Sequence, residues 1–294
     1  MHRPTIFATV FALPMLLSLV SAQPQPVPLV PDTQTAPLWQ LRSKHLIFGM
    51  PTPIDNRHQV TLPSGRVAPG ISVLVKEGFV VGHYDKLKVP AWVASRWTEA
   101  DYRRSETESY NERKWREDDE LPNYAVGGTS LDFARSRMQR GHMARQQDNK
   151  AWGSDNVDEG CEMSNIVPQH EKMNGAAWND LEDAHRSVVA NPASGIKAVW
   201  VISGPIFNGD MPTTVGNGIG VPDACYKVIG WFDRGNRFNT RAYIVRQTDT
   251  DKRSTTYLTT VDAVEQATGL DFFSEAVDEI ESRLQAQKHV DLWK

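Results

Sequence analysis

Residues 164–185 read SNIVPQHEKMNGAAWNDLEDAH, and upstream of them the chain carries Arg140-Gly141-His142. Within and just beyond the longer stretch, Ala177, Leu181, Ala184 and Val188 recur at i, i+4, i+7 and i+11 with charged residues between them, the period of a helix with one apolar stripe. The spacing predicts a long amphipathic helix opened by Asn174. Arg140 stands two residues before His142, so on a strand both side chains project from the same face. A strand bearing Arg140 and His142, followed by a helix headed by Asn174, is the unit around which the rest of the chain is read.

Working outward, apolar and β-branched runs bounded by glycine, proline or polar clusters predict strands at residues 45–48, 79–84, 92–95, 199–203, 226–232 and 241–246. Further helices are predicted at 261–268, closed by Gly269, and at 274–287. Strands predominate early and late with the long helix between them. That order reads as α+β rather than as alternating βαβ units.

The chain begins with one basic residue, Arg3, an apolar run from Thr5 to Val20, and Val20-Ser21-Ala22, which together predict a signal peptide over 1–22. Pro14 interrupts the run, which is shorter than the roughly 20 apolar residues of a membrane anchor. Residues 23–37 (QPQPVPLVPDTQTAP) predict an extended, proline-rich leader. Residues 38–294, about 250 in number, suffice for one large core. The expected protein is therefore exported, secreted or periplasmic, with no stable membrane association.

The formal charge of −4 becomes −5 when Arg3 is removed, leaving 31 basic against 36 acidic residues. An acidic body weakly opposes a polyanionic partner, but charge placement matters more than the sum. Arg135, Arg137, Arg140 and Arg145 form a strip free of acids, whereas acids crowd residues 99–120 and the C-terminal end. Cys161 and Cys225 either pair as one disulfide, as export permits, or remain two buried thiols. Two cysteines without CxxC or HExxH do not supply a four-ligand zinc site.

Taken together, these motifs resemble the DNA/RNA non-specific endonuclease family, the ββα-metal or His-Me finger nucleases. Arg140, Gly141, His142, Ser164, Asn165, Pro168, Gln169, Asn174, Trp178, Leu181 and Glu182 match the family pattern in order and spacing. Tyr84-Asp85, residues 90–93, 204–207 and 221–227, and residues 268–273 look like further landmarks. The chain departs at two positions. Gln139 stands where the family has aspartate, and Cys161 stands where Asn165 has an upstream asparagine partner.

The resemblance implies an α+β, ββα-metal nuclease fold with a central, mostly antiparallel sheet flanked by helices. It implies a Mg²⁺-dependent endonuclease, with Mn²⁺ able to substitute, that cuts DNA and RNA to 5′-phosphate and 3′-hydroxyl ends with little base preference. His142, Arg140, Asn165, Glu182 and Arg113 are then the catalytic candidates and Asn174 the metal ligand. The chemistry is coherent in its own terms. A neutral imidazole accepts a proton near neutral pH, a neutral amide oxygen leaves a hydrated Mg²⁺ most of its charge, and Arg140 beside His142 can meet the same phosphate. Glu182 lies eight residues beyond Asn174, about 12 Å along a helix, and is expected to reach the metal through water. Arg103, Arg104 and Arg116 compete with Arg113 for the second phosphate-binding position. The alternative functions are a catalytically weakened nucleic-acid-binding protein on the same fold and a phosphodiesterase of narrower substrate range.

Overall fold

The computed structural model describes residues 38–288 apart from 62, 63, 69, 111, 123, 124, 126–129, 135, 210 and 252. The expected signal peptide and leader, and Arg135 of the basic strip, lie outside the described residues. Among those described, no helix is long and apolar enough to cross a membrane.

Seven strands form the central sheet: β1 (Ile71–Val75), β2 (Val80–Tyr84), β3 (Val89–Thr98), then, beyond the hairpin strands β4 (Met138–His142) and β5 (Ile166–His170), β6 (Ala198–Ile206), β7 (Ala224–Phe232), β8 (Phe238–Arg246) and β9 (Leu258–Thr259). Their spatial order is β9-β8-β7-β6-β3-β2-β1, and every pairing is antiparallel. Strands β2 and β7 are buried along nearly their whole length, as expected for apolar runs covered on both faces. The sheet therefore forms the middle layer of the core, with Trp92, Trp231, Tyr226 and Tyr243 among its largest buried side chains.

Helices α1 (Leu38–His45), α2 (Glu99–Thr107), α3 (Ser154–Gly160), α4 (Asn179–Ala190), α5 (Val261–Thr268) and α6 (Asp278–Gln285) surround it. Helix α2 is closed at its start by a capping box between Thr98 and Asp101, and α4 packs on α2, β3 and β6. Helix α5 follows its sequence signals closely: Thr260 accepts from the Ala263 amide at 3.2 Å, and Gly269 ends it with φ +68°.

Two expectations are corrected. Residues 45–48 form no strand, because α1 runs to His45, whose Nε2 meets the Glu77 carbonyl at 3.0 Å and whose Nδ1 accepts from the Arg96 amide at 2.9 Å. The following Phe48 packs edge-on against Phe238 and Phe273, with ring centroids 4.9 and 6.2 Å apart. The last helix begins at Asp278 instead of residue 274, because Phe273 turns the chain with φ +66° and its carbonyl accepts from the Ala276 amide at 2.7 Å.

Candidate active site

The site is built on a two-stranded hairpin separate from the main sheet. Strands β4 and β5 pair antiparallel from Met138↔His170 to His142↔Ile166. Their approach depends on Gly141, where an added Cβ would stand 2.0 Å from Gln169 Oε1. The Gln169 side chain lies across that glycine and donates from Nε2 to Cys225 Sγ at 3.4 Å, tying the hairpin to β7. Both cysteines are therefore buried thiols and form no disulfide.

Strand alternation sends Arg140 and His142 to one face, and both meet the same ring. Trp115 lies 5.3 Å from the His142 ring centroid and 4.7 Å from the Arg140 guanidinium carbon. Gln139 alternates to the other side, where its Oε1 accepts from Asn174 Nδ2 at 2.8 Å. Further along the same helix, Trp178 Nε1 donates to the His142 carbonyl at 3.2 Å. The helix thus meets β4 at both ends of the strand. Asn174 does not open that helix, contrary to expectation. It sits in a π turn, Met173–Trp178, preceded by helical Glu171 and Lys172 and running straight into α4. Such turns carry one extra residue against the α-helical repeat and recur at functional sites.

Asn165 is wholly buried and its side chain is fully engaged with backbone. Its Oδ1 accepts from the Ala144 amide at 2.7 Å, and its Nδ2 donates to the carbonyls of Ala144 and Gly160 at 2.9 and 2.8 Å. These bonds fix the segment leaving His142 against the end of α3, a positioning role. Glu182 is buried on α4, with Oε2 3.4 Å from Arg145 Nε. Burial raises its carboxyl to about 7 against the opposing charges of Lys227 and Arg145. Arg145 also contacts Asp183 at 2.6 Å, so this member of the basic strip turns inward to acids.

Arg113 separates from its competitors by its partners. Arg103 pairs with Glu99, Arg104 with Asp101, and Arg116 with Glu162, whereas Arg113 Nε donates to the neutral Gln146 Oε1 at 2.8 Å. Its charge also reaches the histidine. Burial lowers His142 to about 3, aided by Arg113, Arg145 and Arg140 in that order. His142, Arg140 and Arg113 accordingly share one electropositive neighbourhood, in which the imidazole is neutral and able to accept a proton.

Three supporting features were not read from the sequence. Trp115 stands two residues after Arg113, with no local spacing to mark it. The loop carrying both is anchored by Lys76, whose Nζ lies 3.3 Å from Asp118 Oδ2, 2.7 Å from Glu120 and 2.8 Å from Glu162. Ser164 Oγ donates to Asp118 Oδ2 at 2.5 Å. Behind Glu182, Lys227 bonds Ser203 at 3.1 Å and lies 4.4 Å from the Trp178 ring centre. Nothing in local spacing links Lys76 to Asp118 or Lys227 to Trp178.

Asn174 has its amide nitrogen committed to Gln139, which directs the oxygen as the group open to a hard cation. Among the described residues, no three His, Cys, Asp or Glu side chains converge as a cage. A cation meeting this oxygen would keep much of its water.

The DNA/RNA non-specific endonuclease family matches residues 60–279. Human mitochondrial endonuclease G is 28% identical over 173 residues, which cover 54% of this chain and 55% of that protein. A nuclease from Nostoc is 25% identical over 270 residues, covering 87% and 91%, and the Serratia marcescens nuclease is 26% identical over 228 residues, covering 74% and 80%. The match thus spans about half the length of human endonuclease G and most of the two bacterial proteins. A chain of a solved EndoG/EndoGI complex shares the fold, with a TM-score of 0.64 at 20% identity over 87% of this chain and 96% of that one.

Proposed function

The chain belongs to the DNA/RNA non-specific endonuclease family, and from that premise we propose that it is an exported, Mg²⁺-dependent endonuclease that hydrolyses DNA and RNA to 5′-phosphate and 3′-hydroxyl ends. The observation that carries this reading is the convergence of a neutral His142 and Arg140 on one tryptophan, with the charge of Arg113 acting on the imidazole, on a strand braced by the helix of Asn174.

His142 takes the proton of the attacking water. Arg140 and Arg113 neutralise the non-bridging phosphate oxygens, Arg140 being stacked on Trp115 so that its plane is fixed before substrate arrives. Burial is the largest influence holding His142 down and the guanidinium charges add to it; a bound phosphate offsets that second contribution and so raises the basicity of the imidazole. Asn174 would hold the divalent ion, which supplies charge to stabilise the leaving oxygen. Glu182 reaches that region through water, held in place by Arg145. Contacts mainly to phosphate explain indifference to base sequence.

The test compares supercoiled plasmid, RNA and bis(p-nitrophenyl) phosphate as substrates, with EDTA and with restored Mg²⁺ or Mn²⁺. Cleavage of both polymers, abolished by EDTA and restored by either ion, is expected. Turnover of the small diester alone would replace this reading with a narrower phosphodiesterase.

Arg113 and Arg116 give a sharper test of the charge assignment. With Ca²⁺ as a non-catalytic ion, Arg113→Ala is expected to weaken duplex binding and reduce the log–log salt slope by about 0.9. Arg116→Ala, whose charge is already opposed by Glu162 at 2.7 Å, is expected to leave the slope unchanged. Equal slopes for wild type and Arg113→Ala overturn the assignment.

A further inference from the structure

The imidazole of His142 has two nitrogens, and only the unprotonated one can act as a base. Nε2 faces the sulfur of Cys161 at 4.0 Å. Cys161 is fully buried at the end of α3 and framed by backbone on both sides. Its own amide donates to the Asp158 carbonyl at 3.0 Å, the preceding Gly160 carbonyl accepts from Asn165, and the Met163 amide donates to the Arg116 carbonyl at 3.0 Å. The sulfur is therefore set by the scaffold instead of following the histidine. On the other side of the imidazole stands Trp115, and the His142 carbonyl is held by Trp178.

We propose that Cys161 is a positioning residue for His142: its sulfur accepts the Nε2 proton, holds the imidazole in the Nε2–H tautomer, and leaves Nδ1 as the atom that takes the proton from water. This rests on the reading of His142 as general base. Burial pushes the Cys161 thiol up to about 11, so the sulfur is a neutral acceptor. A thiolate would favour the imidazolium and remove the base; a neutral thiol orients the ring without charging it. In the step that follows, the water oxygen bonds to phosphorus as its proton passes to Nδ1, the P–O3′ bond breaks, and the departing oxygen is protonated from solvent. Throughout, Nε2–H stays on Cys161. The same burial makes this thiol a poor nucleophile, which suits an orienting role in an exported protein.

The tautomer is readable without substrate or metal. Long-range ¹⁵N–¹H spectra of the ¹⁵N-histidine-labelled protein, with His142 identified by comparison with His142→Ala, should show Nε2 protonated and Nδ1 bare at neutral pH. Cys161→Ala should give a mixed tautomer and lower kcat about tenfold with KM unchanged, in the range of an outer partner's contribution. Cys161→Ser, whose hydroxyl also accepts, should recover most of both. A wild-type spectrum with Nδ1 protonated overturns the proposal, as does a Cys161→Ala protein whose tautomer and kcat both match wild type. Absence of cleavage in wild type with the Nε2–H tautomer present would instead overturn the general-base reading on which the proposal rests.

Discussion

His142→Ala should slow cleavage by about two to four decades, the usual contribution of a general base, while duplex binding measured in Ca²⁺ and the melting temperature stay close to wild type. The separation is expected because the backbone at His142 is held by groups that do not involve its ring. Its carbonyl accepts from Trp178, and the next amide, that of Met143, donates to the Asn165 carbonyl at 3.0 Å. The electrostatics add a pH signature. Held to about 3 when folded, against about 6.5 in an unfolded chain, His142 is neutral across the neutral range. In the free enzyme its lone pair is lost only as pH falls toward 3. The same depression means that whatever stability comes from keeping this ring neutral is complete above about pH 6.5 and declines as pH falls below that value. Single-turnover rates and calorimetric melts of wild type and variant decide the matter; a variant within threefold of wild-type rate would remove His142 from the chemistry.

Lys76→Ala is expected to have the largest effect on stability, on the order of 3–5 kcal/mol, because removing one partner leaves buried charge uncompensated. The Lys76 side chain is 4% exposed and contacts three carboxylates, two of them, Asp118 and Glu162, also buried at 1% and 8% exposure. Burial is the largest single influence on its ammonium and favours the neutral amine. The bonds to Glu120 and Glu162 and the charge of Asp118 outweigh it, holding the proton above the ordinary lysine range. Without that cation the acids repel one another, and the loop that carries Arg113 and brings Trp115 to His142 loses its anchor. Urea unfolding should show the fall in midpoint. Lys76→Arg, which keeps the charge, should recover part of it. A Lys76→Ala midpoint equal to wild type would show that the cluster contributes nothing to the fold.

The parts of this protein legible in its sequence are those with short-range periodicity or fixed spacing. Helix α5 carried its own stop in Gly269, and β2, β6 and β7 were continuous apolar runs. Arg140 and His142 were placed on one face by strand alternation alone, and their shared contact with Trp115 agrees with that. The stretch from Ala177 to Val188 identified α4 but described its surface incompletely. Glu182, His185 and Arg186 are buried as well, His185 and Arg186 against Asp148 at 3.0 and 2.6 Å. Charged side chains paired by distant segments look solvated in a local pattern. The same blindness hid Lys76, forty-two residues from Asp118 in the chain, and made residues 45–48 resemble a strand when His45 was already engaged by Glu77 and Arg96. Asn174 was singled out by the family resemblance, and the π turn around it had no signature in side-chain periodicity.

That the strand pair carrying Arg140 and His142 stands outside the seven-stranded sheet has a kinetic meaning. Strands β4 and β5 share five residue pairs and, among the described residues, pair with no further strand; β5 is buried from Ile166 to Gln169 and tied to β7 through Gln169, whereas Met138, Gln139 and Arg140 of β4 are partly exposed. Hydrogen exchange in residues 138–140 should therefore proceed by small, local openings, while β5, β6 and β7 wait for global unfolding. On warming, the enzyme should then fall silent before its far-ultraviolet circular dichroism changes, and cooling from that interval should restore its activity.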